Sequence, residues 1–297
     1  MVVRDAITVT RKLGFRYLWI DRYCNGGDMD KREQHRQISN MDLIYTNAEL
    51  TVIAAGRDPN HGLPGVGATL RTPQPSAFIV NRSLVSTMSD PIGLIKQSKW
   101  WERTWVLQEA PLSRRRLVFT TEQCYYECNI MSCCEVMVEP FEVLQDSSKQ
   151  RLAHGSARSA FRKTIATGEL LSEGHKRMQE VITVYSRKQM TYESDGLNAI
   201  AGILRMHSRH GAKNYWGVRV EQNSALLKGL LWIPNGYLKR RTGDFPTWSW
   251  VGWVGWVGPV RFCDFGIDID PDVSVWVEYK DGSVIAWETF VDSGEPL

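Results

Sequence analysis

A chain of 297 residues, 43% hydrophobic and 23% charged, has room for one large domain or two modest ones and is too apolar to be disordered throughout. A net charge of +3 is too slight to argue for nucleic acid, and no apolar run reaches membrane-spanning length, so neither is expected as a partner. Met1-Val2-Val3-Arg4-Asp5 brings an acid at once and no apolar signal core, so a cytoplasmic protein with six reduced cysteines is expected.

Val3, Ile7 and Leu13 share one face of a helix closed by Gly14. Phe15 to Ile20 (FRYLWI) is a short apolar run, read as a buried strand ending at Asp21. After a polar loop over 22–30, Ile38, Met41, Tyr45 and Ala48 give helical spacing across 31–48. Leu50 to Ala55 is a second buried strand, so this order predicts a βαβ unit with a parallel sheet. Residues 56–76 read as a Gly- and Pro-rich loop, and Ala77 to Asn81 as a strand. A short helix covers 97–110 and stops before Pro111, and strands follow at Arg116–Thr120 and Tyr125–Cys128. The polar stretch 145–160 reads as a linker or a loosely packed helix start, 174–187 and 195–209 as helices, and everything from 215 as short strands.

Several features could carry chemistry, and each has a plainer alternative. Cys124-x3-Cys128-x4-Cys133-Cys134 has no C-x-x-C pair, and Tyr125, Tyr126 and Ile130 between the thiols suit a strand better than a zinc knuckle, so no metal is expected. Gly26-Gly27 and Gly62, Gly65 and Gly67 fit no phosphate-loop spacing and read as turn glycines. The six histidines, His35, His61, His154, His175, His207 and His210, lie in polar or loop surroundings and are expected at the surface. Arg114-Arg115-Arg116 and Lys239-Arg240-Arg241 read as solvated runs. The tail, with Trp248, Trp250, Trp253 and Trp256 two and three apart, is either an aromatic binding platform or a buried cluster covering the first domain.

Three blocks stand in an order and spacing that resemble a known family. They are Leu13 to Cys24 (LGFRYLWIDRYC), Met41 to Ala48 leading into Thr51 to Ala55, and Arg103 to Glu109 (RTWVLQE) followed by Leu112 to Phe119. These resemble the fungal heterokaryon-incompatibility (HET) domain, and Asp195 to Gly202, Leu230 to Trp232 and Pro246 to Trp250 resemble the region that commonly follows it. The family usually opens with a strand block of Ser-Tyr-x-Trp-Gly type, and nothing like it precedes Met1, so the resemblance implies a chain truncated at its start. It also implies a HET domain over 1–140, a helical and then Trp-rich β region over 141–297, and a role in non-self recognition and programmed cell death through protein partners or self-association.

HET domains are thought to be similar in fold to Toll/interleukin-receptor (TIR) domains, which implies an α/β fold with a parallel sheet flanked by helices. A TIR Trp-Cys-x-x-Glu segment supplies the glutamate that cleaves NAD, and Trp105 to Glu109 has that spacing with Val106 at the cysteine position. By that resemblance Glu109 would stabilise the charge that develops as the nicotinamide–ribose bond breaks, with NAD as a substrate rather than a cofactor. The plainer alternative is a structural Glu109 paired with Arg103, Arg114 or Arg116. Asp21, at the carboxyl end of its expected strand, is a pocket candidate with Arg22 and Cys24, or else a turn cap. Arg103, Trp105 and Gln108 complete the motif residues expected around the site.

Overall fold

The structure, a computed structural model, describes residues 1–25, 30–56, 61–129, 131–136, 159–161, 174–208, 213–220, 229–259 and 274–293. The chain divides into one unit of Met1–Glu173 with Lys188–Ile203, and a second of Gly174–Arg187 with Leu204–Leu297. The expected 140/141 boundary, residues 145–158, Gly26, Gly27, His154, His210 and Cys263 lie outside the described residues.

The first unit opens with α1, Val2–Lys12, whose buried face is Asp5, Ala6, Val9 and Thr10. The expected face is corrected: Ile7 and Leu13 are exposed, because Ala6 and Val9 meet Leu63, Val66 and Phe119 instead. Gly14 closes the helix at φ +78°, with the Phe15 N–H donating to the Thr10 carbonyl at 3.0 Å. Asp5 has a structural task. Its carboxylate accepts the Leu63 N–H at 2.9 Å and the Thr69 hydroxyl at 2.8 Å, pinning loop 61–69 to the helix. Gly62 sits at φ +88°, and a Cβ there would lie 2.3 Å from Asp5 Oδ2, so only glycine fits.

Three short helices follow: α2 (Asp21–Cys24), α3 (Lys31–Ser39) and α4 (Met41–Asn47). The helix expected over 31–48 is therefore two. It breaks at Asn40, whose side-chain amide donates to the Arg36 carbonyl at 2.8 Å. Strand β1 (Thr51–Ala54) comes next, then a hairpin of β2 (Ser76–Ile79) and β3 (Arg82–Val85), exposed along both strands. Helix α5 (Pro91–Lys96) follows, and α6 (Lys99–Glu102) and α7 (Val106–Glu109) replace the single helix expected over 97–110. The break between α6 and α7 has Arg103 extended and Thr104 donating from both N–H and hydroxyl to the Gln189 carbonyl, at 2.9 and 3.0 Å.

Strands β4 (Arg115–Phe119), β5 (Cys124–Cys128) and β6 (Ser132–Cys134) complete a sheet of order β1-β4-β5-β6. Only β1 and β4 run parallel; β4–β5 and β5–β6 are antiparallel. The expected parallel sheet is thus corrected to a mixed one. The turn at Thr120–Gln123, tied by the Thr120 hydroxyl donating to the Gln123 carbonyl at 2.6 Å, is too short for a parallel crossover. The strand expected at Phe15–Ile20 is also corrected. The run carries no regular element, with a bend at Arg16, it pairs with no described strand, and Tyr17 is exposed.

Helices cover both faces of the sheet. Ile53, Ala55, Val118 and Tyr125 pack with Ile95, Val106, Ala110 and Phe161 on one side. Val52, Ala54, Leu117 and Phe119 pack with Ala6, Val9 and Leu63 on the other. Ser159 and Ala160, expected in a loose polar stretch, are buried, and so is Phe161. Arg116 is buried as well, because its guanidinium donates to the carbonyls of Ala110 (2.9 Å) and Glu127 (3.3 Å) and to Asn129 Oδ1 (3.1 Å).

In the second unit, α8 (Gly174–Ser186) buries Met178, Val181 and Tyr185, and α9 (Ala201–Ser208) crosses between the units' sequence ranges. The strands form four two-stranded ribbons among the described residues. They pair β7 (Lys213–Tyr215) with β8 (Val218–Val220), β9 (Trp232–Pro234) with β12 (Val257–Pro259), β10 (Lys239–Arg240) with β11 (Trp253–Val254), and β13 (Trp276–Glu278) with β14 (Val284–Ala286). Helix α10, Trp287–Ser293, follows. Trp250 is buried, with its indole N–H on the Gly217 carbonyl at 3.0 Å, whereas Trp248 and Trp256 are exposed. Arg241 and His207, expected at the surface, are buried; Arg241 donates to the carbonyls of Val251 (2.9 Å) and Trp253 (3.2 Å), and the His207 ring faces Arg219. No helix among the described residues is long and apolar enough to cross a membrane.

Candidate functional site

The site lies in the first unit, in a groove of about 640 Å³ lined by residues of β1 and by residues 15–21, among others. Two neighbouring turns deliver its charged groups. Asp21 opens α2 directly after residues 15–20, and Arg103 and Glu109 flank the short turn of α7. Because the helix breaks at Arg103–Trp105, the Arg103 side chain reaches Glu109, with Nη2 3.1 Å from Oε1. Trp100 on α6 supplies the second partner, its indole N–H donating to Glu109 Oε2 at 2.7 Å. Arg103 also lies 4.0 Å from Asp21, so it is shared between two carboxylates.

Arg103 and Asp21 are about half exposed, while Glu109 is only 6% exposed. Burial is the main influence on Glu109 and pushes its carboxyl pKa up; Arg103 and the Trp100 hydrogen bond pull it down, Asp21 adds to the rise, and the net direction is upward. Tyr45, from α4, lines the same groove with its ring edge-on to Trp19 at 5.9 Å. Its hydroxyl pKa is driven far up by burial first, then by the charges of Glu109 and Asp21, so it stays a neutral hydrogen-bonding group. A carboxyl with raised proton affinity, an arginine beside it and a neutral phenol make a set capable of proton transfer or of stabilising positive charge. Among the described residues no group of three or more His, Cys, Asp or Glu is placed to hold a metal ion.

Of the residues expected around the site, the structure brings together Asp21, Arg103 and Glu109. The other four stand apart from the groove lining. Arg22 is exposed, its N–H donating to Asp21 Oδ1 at 2.7 Å. Cys24 accepts the Ile20 N–H at 3.4 Å. Trp105 caps α7, its carbonyl accepting the Glu109 N–H at 3.0 Å. Gln108 is buried, its side-chain amide gripping the Asn198 carbonyl (2.6 Å) and the Gly202 N–H (2.8 Å). Sequence reasoning missed Trp100 and Tyr45. Tyr45 was visible only as one apolar position of a helix, and Trp100 is nine residues from Glu109 across a helix break that no spacing rule anticipates.

Residues 1–109 match the family model described as Heterokaryon incompatibility protein (HET). The chain carries a HET domain. The matched stretch runs from α1 to the last residue of α7 and so contains every charged group of the groove. The likeness read beyond Glu109, in Leu112–Phe119 and in the second half, falls outside the matched stretch. No curated protein and no solved structure matches the chain.

Proposed function

We propose that this HET-domain protein acts in non-self recognition and in the signalling that leads to programmed cell death. The observation that carries this reading is the HET match over residues 1–109. The test is inducible expression of the full chain in a fungal host. Loss of viability on induction, relieved by a substitution that removes the arginine shared by the groove's carboxylates, Arg103→Ala, is the expected outcome. Undiminished growth at high expression of folded protein would refute it.

A second reading is favoured by Glu109 itself, a buried carboxyl among the residues that line the groove. On this reading the domain is arranged like a TIR domain and hydrolyses NAD. Water adds to the ribose carbon as the bond to nicotinamide breaks, giving ADP-ribose, nicotinamide and a proton, with the Glu109 carboxylate stabilising the charge that develops on the ribose. The pairing of Glu109 with Arg103 and Trp100 equally suits a structural carboxylate, so activity decides. Purified protein and its Glu109→Gln variant, followed by chromatography of NAD and nicotinamide, are the test. Turnover in the parent with at least a ~100-fold loss in the variant supports the enzyme. Equal rates, or none in folded protein, leave Glu109 as a structural group.

A further inference from the structure

Residues 159–161 lie outside the matched stretch of 1–109, yet they reach the site's glutamate through one aromatic contact. On β5, Tyr125 and Glu127 stand two apart, so both point to one face of the sheet, where Tyr125 joins the core of Ile95, Val106 and Phe161. The buried Glu127 carboxylate accepts the Tyr125 hydroxyl at 2.6 Å, the Ser159 hydroxyl at 2.6 Å and the Ala160 N–H at 3.0 Å. The Phe161 N–H donates in turn to the Ser159 hydroxyl at 3.2 Å. A buried carboxylate is costly to leave without donors, so residues 159–161 are pinned to β5 and the Phe161 ring stays in the core, 1% exposed.

That ring stands edge-on to Trp100, with centres 6.1 Å apart and planes at 87°, and it lies tilted at 39° to Trp101 at the same separation. The Arg116 guanidinium is 5.5 Å from its centre, so a cation and two indoles hold one ring in place. Trp100 is the indole whose N–H donates to Glu109 Oε2 at 2.7 Å. It rides on α6, a single turn that ends in the break at Arg103. A single turn has little stability of its own, so the direction of this large side chain is set by what it packs on. Packed interiors leave no room for the indole to turn, whereas removal of a neighbouring ring would open a space of its own size.

We infer that Phe161 is a positioning residue for Glu109: packed edge-on to Trp100, it keeps the indole N–H on the Glu109 carboxylate. The groove's buried carboxyl is thus held in place from beyond the HET-matched stretch, by a segment that β5 anchors. Without the ring, Trp100 turns into the space left and Glu109 loses a hydrogen bond to its charged form. The proton affinity of the carboxyl then rises further, because the bond from Trp100 is one of the influences that lower it. The inference concerns the geometry around Glu109, and it rests on the NAD-cleaving reading only for its consequence on turnover.

The test follows the Trp100 indole by magnetic resonance in the full chain carrying isotope-labelled tryptophan, its N–H signal identified by its loss in Trp100→Phe. Glu109→Gln replaces a charged acceptor with a neutral one and moves that signal upfield, which marks it as the indole bonded to this carboxylate. Phe161→Ala moves it in the same direction and speeds solvent exchange of the indole proton by at least about ten-fold. Phe161→Leu, which keeps apolar bulk should the alanine variant not fold, does the same to a smaller extent. Phe119→Ala removes an equal ring from the core on the other face of the sheet and leaves the Trp100 signal as in the parent, so general loosening of the fold is told apart. Where the parent consumes NAD, the acidic limb of its pH–rate profile moves to higher pH in Phe161→Ala and stays in place in Phe119→Ala. A parent that consumes none refutes the enzyme, and the indole signal still decides this inference. A Trp100 signal unmoved in both Phe161 variants, or moved equally by Phe119→Ala, would overturn it.

Discussion

The two units hold short strands in place by different means. In the first, four strands share one sheet and both faces carry helices, so backbone pairing and apolar packing reinforce each other. In the second, the described strands pair only two by two. A lone two-stranded ribbon is marginal in water. There, side chains supply the missing order: Trp250 on the Gly217 carbonyl, Tyr185 edge-on to Trp250 at 5.0 Å, and Arg187, Arg240 and Arg241 over the rings of Trp256, Trp253 and Tyr185 at 4.2 to 5.9 Å. Where the sheet is small, a few aromatic and guanidinium groups carry the load that a ladder carries elsewhere.

The hardest blow to this contrast is Trp250→Ala, expected to cost about 3–5 kcal/mol and to unfold the second unit at a lower denaturant concentration than the first. A shift below about 1 kcal/mol in a denaturation curve would mean that the ribbons do not depend on the aromatic hub. The first unit has its own single point of failure. Asp5→Ala strands the Leu63 N–H and the Thr69 hydroxyl and should cost about 2–3 kcal/mol, with faster exchange of the Leu63 amide as its local signature.

The smallest effect sharpens the comparison through pH. Burial lowers the pKa of Lys188 to about 8, while its ammonium donates to the Trp101 carbonyl and lies 4.6 Å from the Trp101 ring centre. A lysine with a depressed folded pKa binds fewer protons folded than unfolded, so stability rises with pH between about 8 and the ordinary 10.5. With its partial exposure the gain is about 1 kcal/mol, and Lys188→Met should remove that pH dependence in paired melting curves at pH 7.5 and 10.

Much of the first unit was legible in the sequence because its elements obey local rules. The Gly14 stop and strands β4 and β5 fall within a residue or two of expectation. Residues 15–20 were misread for a physical reason. Their composition suits a strand, but a strand is defined by its neighbours, and no described strand pairs with them. The buried arginines were misread because a run of like charges looks solvated until carbonyls are placed to receive one of them. At the site, Arg103 and Glu109 were found through family resemblance, and Asp21 through its place at the end of an expected strand. Trp100 and Tyr45 needed the break at Arg103 and the turn of α4, which depend on tertiary contacts.

The gripping of Asn198 and Gly202 by Gln108 reaches into the timing of synthesis. The first unit is discontinuous, closed by residues 188–203 only after the chain has passed through 174–187 of the second. On a ribosome adding about 5–20 residues per second, the first unit must wait roughly 2–6 s after Glu173 emerges before Gln108 can find its partners. During that interval a nascent chain displays an unfinished α7 face, and any fragment cut at a single point before Ile203 would keep it permanently.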